Sequence, residues 1–550
     1  MTFPDGASVE YLYDGWGRLI AIPGLFGTGA FDPGFAYAQS GALSWIGRAN
    51  GIPTTIAEDG RGRVDRITHG YGGQPVLDLD YEYDLVGNVV RINGREYMYD
   101  RLGRLVGYQR PTQSGAVEWV GYSYDLVGNR NSESAGGVVG RRYIYDPGDY
   151  LSRTIDRTGQ TEAEFTYGGF GEQLTRTSGG VATNYVYDAA QRLTDVSRGG
   201  AVIASAIYDA LGRRIVYTDS SGTVLTLYSG NDIVYERADR PEAPTEPGGP
   251  GTGDPGTPGE PGDPGTPNPP GGKPVVIDDP KILDDPIEPD GGELVLPDGS
   301  VPEPPPGLVR VVTRYIVAHG KYLAKIVQEG QNPAQTCFLH TDMLGSIRAV
   351  TDSAGQVVAR FDYEPFGLLI EESSPASAGG ERYTGKPLDA ELGLYYFGAR
   401  YYDPGLGRFI TADPAKDGLN WYAYCMANPM VLADPNGQQP ILITQGWQGT
   451  AVHLAIERHL ELGLALVLPD VARVEPEITF KQLDLPDIRL DVRVIWKDAL
   501  KEHYQAPTLK TAPRVPAFSF GVAPTLSVGG VLWKDRRPCS QQCAEVAGDR

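Results

Sequence analysis

The 550-residue sequence predicts a mainly β protein, a wall of stacked hairpins, and three observations carry that prediction. Its 72 Gly and 32 Tyr stand against 5 Met and 14 Phe, a balance that suits strands and turns rather than helices. A phrase of the form Tyr-x-Tyr-Asp-x-x-Gly-Arg recurs through residues 8–236. From about residue 308 the same strand–turn–strand grammar resumes and then condenses into Asp-Pro and Gly turns.

The recurring phrase reads "YLYDGWGRLI", "YEYDLVGNVVRI", "YMYDRLGRLV", "YSYDLVGNRN", "YIYDPGDYLSR", "FTYGGFGEQLTR", "YVYDAAQRLTDV" and "AIYDALGRRIVY". Its aspartates are Asp14, Asp84, Asp100, Asp125, Asp146, Asp188 and Asp209, with Gly168 in the sixth copy. From Asp84 onward the spacing is 16 to 25 residues, and residues 58–73 form a degenerate copy in the gap before it. A period in this range marks a repeat architecture. Tyr-x-Tyr places both rings on one face of a strand. Asp-x-x-Gly is a turn: the carboxylate bonds its own backbone two residues on, and Gly takes a positive φ. One hairpin cannot bury its aromatic face alone, so neighbouring hairpins must stack into one sheet. The repeated Tyr and Asp are read as core and turn residues, with a glycan-binding aromatic ladder as the alternative.

Residues 241–307 break the grammar: 20 of these 67 residues are Pro, and 14 acidic side chains face 2 basic ones. Gly253, Gly256, Gly259, Gly262 and Gly265 recur every third residue, but five triplets are too few to predict a triple helix. The stretch reads as an extended, solvated linker that loops out between two halves of one shell. It carries −12 of the formal charge of −22. An acidic total argues against a protein that coats DNA or RNA, because phosphate binding needs clustered Lys and Arg. No apolar run is long enough to span a bilayer, and the N-terminus lacks a basic region followed by an apolar one. Export, to the medium or the cell surface, would therefore use a route without a signal peptide. Cys337 and Cys425 read as buried small hydrophobes, and Cys539 and Cys543 alone make a weak metal signal. No metal or other cofactor is predicted.

The ordered series "HTDMLGS", "YTGKPLDAELGLYYFGARYYDPGLGRFITADP" and "NPMVLADPNG" in residues 308–437 resembles the core domain associated with the RHS, or YD-repeat, family. The resemblance covers residues 8–236 as repeats and 308–437 as core. It implies a spiralling β-sheet shell, a core domain that seals one end, and a variable C-terminal segment. In many bacterial members that segment is a toxin. In several, the core cuts its own chain just after the final Asp-Pro-x-Gly with an aspartyl-protease-like pair. Carried onto this sequence, the resemblance implies Asp413 and Asp434 as the pair, with Arg408 orienting them or stabilising charge. Asp403 and Arg400 are the second choice. Two carboxyls sharing a proton can divide amide hydrolysis between them. The competing reading is that Asp413 and Asp434 are ordinary turn residues.

The implied scissile bond is Gln438–Gln439, at a point where the Asp-Pro grammar stops. Cleaving relatives carry Leu or Met at the position of Gln438. An apolar pocket there would accept Gln poorly, because burying an unpaired amide costs roughly 1–3 kcal/mol. The tail, residues 438–550, holds 13 residues of each charge and no recognisable catalytic signature. Residues 449–468 suggest a helix and 478–496 alternate like strands, so a small mixed α/β segment is expected. His453, Glu457 and His459 do not have zinc-site spacing. By position the tail resembles the family's toxin segment, which implies an immunity protein as partner. The rival readings are a surface protein that binds glycans or partner cells with an inert tail, and an eroded family fragment. Eight hairpins plus the core make a short wall. An incomplete spiral is therefore expected, closed by a further N-terminal RHS portion or a partner protein.

Overall fold

The computed structural model describes residues 1–26, 34–70, 75–112, 115–241, 304, 307–373, 380–416 and 418–443. In the tail it describes only the strands Val471–Glu477, Arg489–Trp496 and Ser527–Gly530. The helix expected over 449–468, most of the 241–307 linker, and His453, Glu457 and His459 lie outside the described residues.

The repeat turns follow local chemistry. Asp14, Asp59, Asp84, Asp100, Asp125, Asp188 and Asp209 each use one carboxylate oxygen to accept the amides two and four residues on, at 2.8–3.0 Å. The second oxygen accepts the Arg or Asn side chain four residues on, at 2.7–3.0 Å. Asp59 belongs to the degenerate copy, which therefore folds like the others. In the sixth copy Glu172 replaces the aspartate and accepts the Phe170 amide at 3.0 Å. A Cβ on Gly168 would fall 2.1 Å from that carboxylate, so a side chain there would displace Glu172 from the turn.

The same arginines couple one unit to the next. Arg63, Arg104, Arg192 and Arg213 lie over the rings of Tyr83, Tyr124, Tyr208 and Tyr228 at 4.3–5.3 Å. Those tyrosines donate back to strand carbonyls, as Tyr83 does to Val64 at 2.7 Å and Tyr124 to Leu105 at 2.8 Å. The other ring of the pair is buried at Tyr81, Tyr97, Tyr122, Tyr143 and Tyr185. The repeated Tyr and Asp are thus core and turn residues.

From Phe35–Tyr37 to Leu369–Ser373, 26 described strands follow one another in chain order and close into an antiparallel barrel. The β-sheet shell expected from the sequence is thus present, and what is corrected is its expected incompleteness: among the described residues the wall closes on itself. The strands from Leu308 to Ser373 extend the sheet until it meets the opening repeats. Arg48 there donates to the Leu339 carbonyl at 3.1 Å, Asn50 to Thr351 at 2.8 Å, and Arg95 to Asp362 at 3.2 Å. Pro241 is the register partner of Leu308, so residues 242–307 connect one hairpin of a single wall. The N-terminal residues Phe3, Ile22 and Phe26 pack against Phe35, Tyr235, Ile316 and Phe338.

Where the opening repeats meet the core strands, two buried histidines touch: His69 Nδ1 and His340 Nδ1 are 3.1 Å apart. His69 Nε2 lies 3.0 Å from the Thr341 carbonyl, so it carries a proton and Nδ1 accepts. Only one proton fits between the two Nδ1 atoms, so the two rings cannot both be charged. Burial, reinforced by Arg48, holds both histidines well below the usual value of about 6.5. The charged groups facing them are Arg48, Lys321 and Arg360, all cationic. A depressed histidine pKa contributes stability above the unfolded value that is lost as the pH falls through the folded values. The thermal midpoint should therefore drop between pH 7 and pH 5. His340→Gln should flatten that drop, and an equal drop in the variant would refute the assignment.

Residues 380–443 pack against the inward faces of the wall. Their four short strands, Leu388–Asp389, Leu394–Tyr396, Tyr401–Asp403 and Arg408–Phe409, form one small sheet. Phe397, Tyr402, Phe409 and Tyr424 share one core with Tyr81, Leu105 and Tyr122 of the repeats. Buried Arg214 of the wall pairs bidentately with buried Asp389 and also donates to Tyr401 Oη at 2.7 Å. These contacts set the position of the Asp-Pro turns.

Candidate self-cleavage site

Asp413 follows the strand Arg408–Phe409, and Asp434 follows Leu432–Ala433. Each carboxylate is divided between two tasks. Asp413 Oδ1 accepts the Ala415 amide at 2.9 Å. Asp434 Oδ1 accepts the amides of Asn436, Gly437 and Gln438 at 3.3, 2.8 and 3.1 Å. Both are turn residues in this sense. Their second oxygens nevertheless converge on one guanidinium: Arg400 Nη2 lies 3.9 Å from Asp413 Oδ2 and 3.6 Å from Asp434 Oδ2. Both aspartates are thus turn residues whose second oxygens face one shared guanidinium.

Arg400, which the sequence placed second, occupies the centre. It is 4% exposed, against 6% for Asp413 and 1% for Asp434, so water screens little of their interaction. Its Nε donates to the Gly437 carbonyl and its Nη1 to the Trp421 carbonyl at 2.9 Å. The guanidinium stacks 3.7 Å from the centre of the Phe409 ring. Burial pushes the Asp434 carboxyl up, against the pull of Arg400 and the three amides. Burial likewise pulls Arg400 down, against both aspartates. Gly437 has φ +74°, and a Cβ there would sit 3.1 Å from both Arg400 N and Phe397, so this position requires glycine.

The structure does not bring Arg408 or Asp403 to this pair. Arg408 donates to the Asp149 carbonyl of the wall at 2.8 Å and stacks on Tyr422 at 4.6 Å. Asp403 pairs with Arg176 at 2.9 Å. Asp403 and Arg408 are register partners at a hairpin and face the repeats, whereas Arg400 precedes that hairpin and faces the Asp-Pro turns. Gln438 is exposed, with its side-chain oxygen 3.4 Å from Asn436 Nδ2. Its amide thus avoids the burial cost expected for an apolar pocket. Gln438→Leu should accordingly change any cutting rate by less than about threefold, the usual size of a surface effect. A much larger acceleration, followed on denaturing gels, would restore the pocket.

Sequence reasoning missed a strained turn beside the pair. Cys425, Met426 and Ala427 have φ of +50°, +50° and +60° in succession. For L-residues this costs on the order of 1–2 kcal/mol each. Cys425 is buried and its thiol is pushed up by that burial, then by Asp434. No glycine, Asn or Asp marks these positions, so no local signal announced them. No metal-ligand cluster occurs among the described residues.

A family comparison matches residues 50–247 and 322–432, more than half of the chain, to the Teneurin YD-shell. The chain belongs to that family. Its YD shell is similar to double-stranded DNA deaminase toxin A of Burkholderia cenocepacia, at 26% identity over 525 residues covering 86% of this chain and 33% of the relative. It is also similar to toxin subunit YenC1 of Yersinia entomophaga, at 38% over 109 residues, 19% of this chain and 11% of that one. The solved TcdB2–TccC3–TEV structure shares the fold, with TM-score 0.54 at 19% identity over 78% of this chain and 20% of that one. The chain thus spans a third or less of the length of each of these proteins, of which the first is named a toxin and the second a toxin subunit.

Proposed function

We propose that this chain is a toxin-carrying YD shell that cuts itself behind Gly437 and releases its C-terminal segment as an effector. The observation that carries the reading is the convergence of Asp413, Asp434 and the Gly437 carbonyl on Arg400. Asp434, its carboxyl raised by burial, holds the proton and supplies it to the peptide. Asp413 takes a proton from the attacking water. Arg400 holds the chain in register and stabilises negative charge as it develops. The substrate is tethered, so even a slow site completes its single turnover.

The family pattern puts the cut at Gln438–Gln439. A second reading, Gly437–Gln438, is favoured by one observation: that peptide is held at both polar ends, its carbonyl by Arg400 and its N–H by Asp434. Ile441–Leu442 pairs with Leu432–Ala433, so a cut tail stays docked until this short ladder opens. Intact mass of the purified chain under denaturing conditions decides among these outcomes. A cut after Gln438 leaves a 112-residue tail, and a cut after Gly437 leaves 113. A chain that remains at 550 residues would remove self-cleavage from the proposal.

Relatives that are toxins support the effector reading, and their greater length supports a further shell portion or partner protein around the tail. Export from the producing cell and an immunity protein that protects it follow as parts of the same proposal. Expressed inside bacteria at matched levels, residues 439–550 should slow growth more than the whole chain. Equal growth would favour the rival surface-binding reading, with glycans or partner cells as ligands.

A further inference from the structure

Arg408, which the cutting reaction does not use, lines a cavity of about 20 Å³ between the repeat wall and the core segment. Asn129 and Arg130 face it from the wall; Arg408, Tyr422 and Tyr424 face it from the core. The volume admits one guest of atomic size.

The cavity brings together two guanidiniums, each 6% exposed. Arg408 uses Nη2 on the Asp149 carbonyl, and its buried Nε has no hydrogen-bond partner. The Tyr424 hydroxyl is engaged by Cys425 and Tyr383, so Tyr424 offers the cavity its ring. Arg130 lies against the rings of Tyr122 and Phe366, at 4.1 and 4.4 Å, and near the Tyr124 and Tyr143 hydroxyls. The carboxylate in reach of Arg130 is Glu133, at 4.0 Å and itself 26% exposed. Asp403, the register partner of Arg408, is committed to Arg176. Two buried cations thus line one cavity, the nearby carboxylates, Glu133 and the Asp149 that accepts from Asn129 at 2.7 Å, are both partly exposed, and ring faces attract a cation without neutralising it.

We propose that this cavity binds a single halide-sized anion, which pins the core segment to the repeat wall through Arg130 and Arg408. A monatomic anion accepts hydrogen bonds from every side, so Arg408 Nε–H gains an acceptor. It also supplies negative charge directly between the two guanidiniums, which a water molecule does not.

Crystals of the whole chain grown in bromide instead of chloride, measured at the bromine absorption edge, test the assignment. The expected result is one anomalous peak between Arg130 and Arg408. Water there with no anomalous signal would overturn the proposal. A solution measurement stands beside it. Thermal unfolding is followed while chloride replaces methanesulfonate, a bulkier anion, at constant ionic strength. The midpoint should rise by a few degrees and saturate, as linkage to one site requires. Arg408→Met should lose the chloride dependence. A flat wild-type curve, or the same rise in Arg408→Met, would equally overturn it.

Discussion

Asp434→Asn should leave the purified chain at its full 550 residues under conditions in which the wild type is cut. Asparagine keeps an oxygen that can accept the three amides now held by Asp434 Oδ1, so the turn survives. What disappears is the carboxyl proton, and with it acid–base assistance worth on the order of 10²–10⁴ in rate. Asp413→Asn should fail in the same way, because the Ala415 amide retains its acceptor while the base is lost. Wild-type cutting should also slow as the pH rises through the Asp434 pKa, which burial raises from its ordinary value. Intact mass over time, with unfolding midpoints as a folding control, is the measurement. Cutting that persists in both variants would point to a different nucleophile or to a contaminating protease.

Asp389→Ala should cost about 3–5 kcal/mol, because it leaves Arg214 charged and buried without its partner. The pair joins the wall strand Arg214–Asp219 to the small core sheet, with both side chains under 10% exposed. The Arg214 amide also donates to Tyr396 Oη at 2.9 Å, so wall and core share this contact from several sides. Denaturant unfolding measures the loss. Replacing both partners, Arg214→Met with Asp389→Leu, should recover most of it, since burying two charges is itself expensive. A loss below about 1 kcal/mol for the single variant would mean that water reaches the pair and screens it.

Much of the fold was legible because its chemistry is local. Asp-x-x-Gly closes within five residues, and Tyr-x-Tyr alternation states which face of a strand is buried. The degenerate copy around Asp59 was recognisable by the same rule, and its turn bonds match those of its neighbours. The left-handed run at Cys425, Met426 and Ala427 was not legible, since it opposes the preferences of those residues and only the surrounding packing can hold it.

The sequence by itself determined the hairpin repeat, the linker between two halves of one shell, and the two Asp-Pro turns with their aspartates; that the linker joins the two strands of one hairpin came from the pairing of Pro241 with Leu308. Only the tertiary structure decided that the wall closes. Closure depends on residues about 290 apart in sequence, such as Arg48 and Leu339, and no local pattern records their meeting. Only the tertiary structure exchanged Arg408 for Arg400. The two arginines are eight residues apart in one Tyr- and Gly-rich stretch, equally basic and equally flanked. Which one meets the carboxylates depends on the direction the small core sheet faces, and that is set by the aromatic packing of Phe397, Tyr402 and Phe409 against the wall.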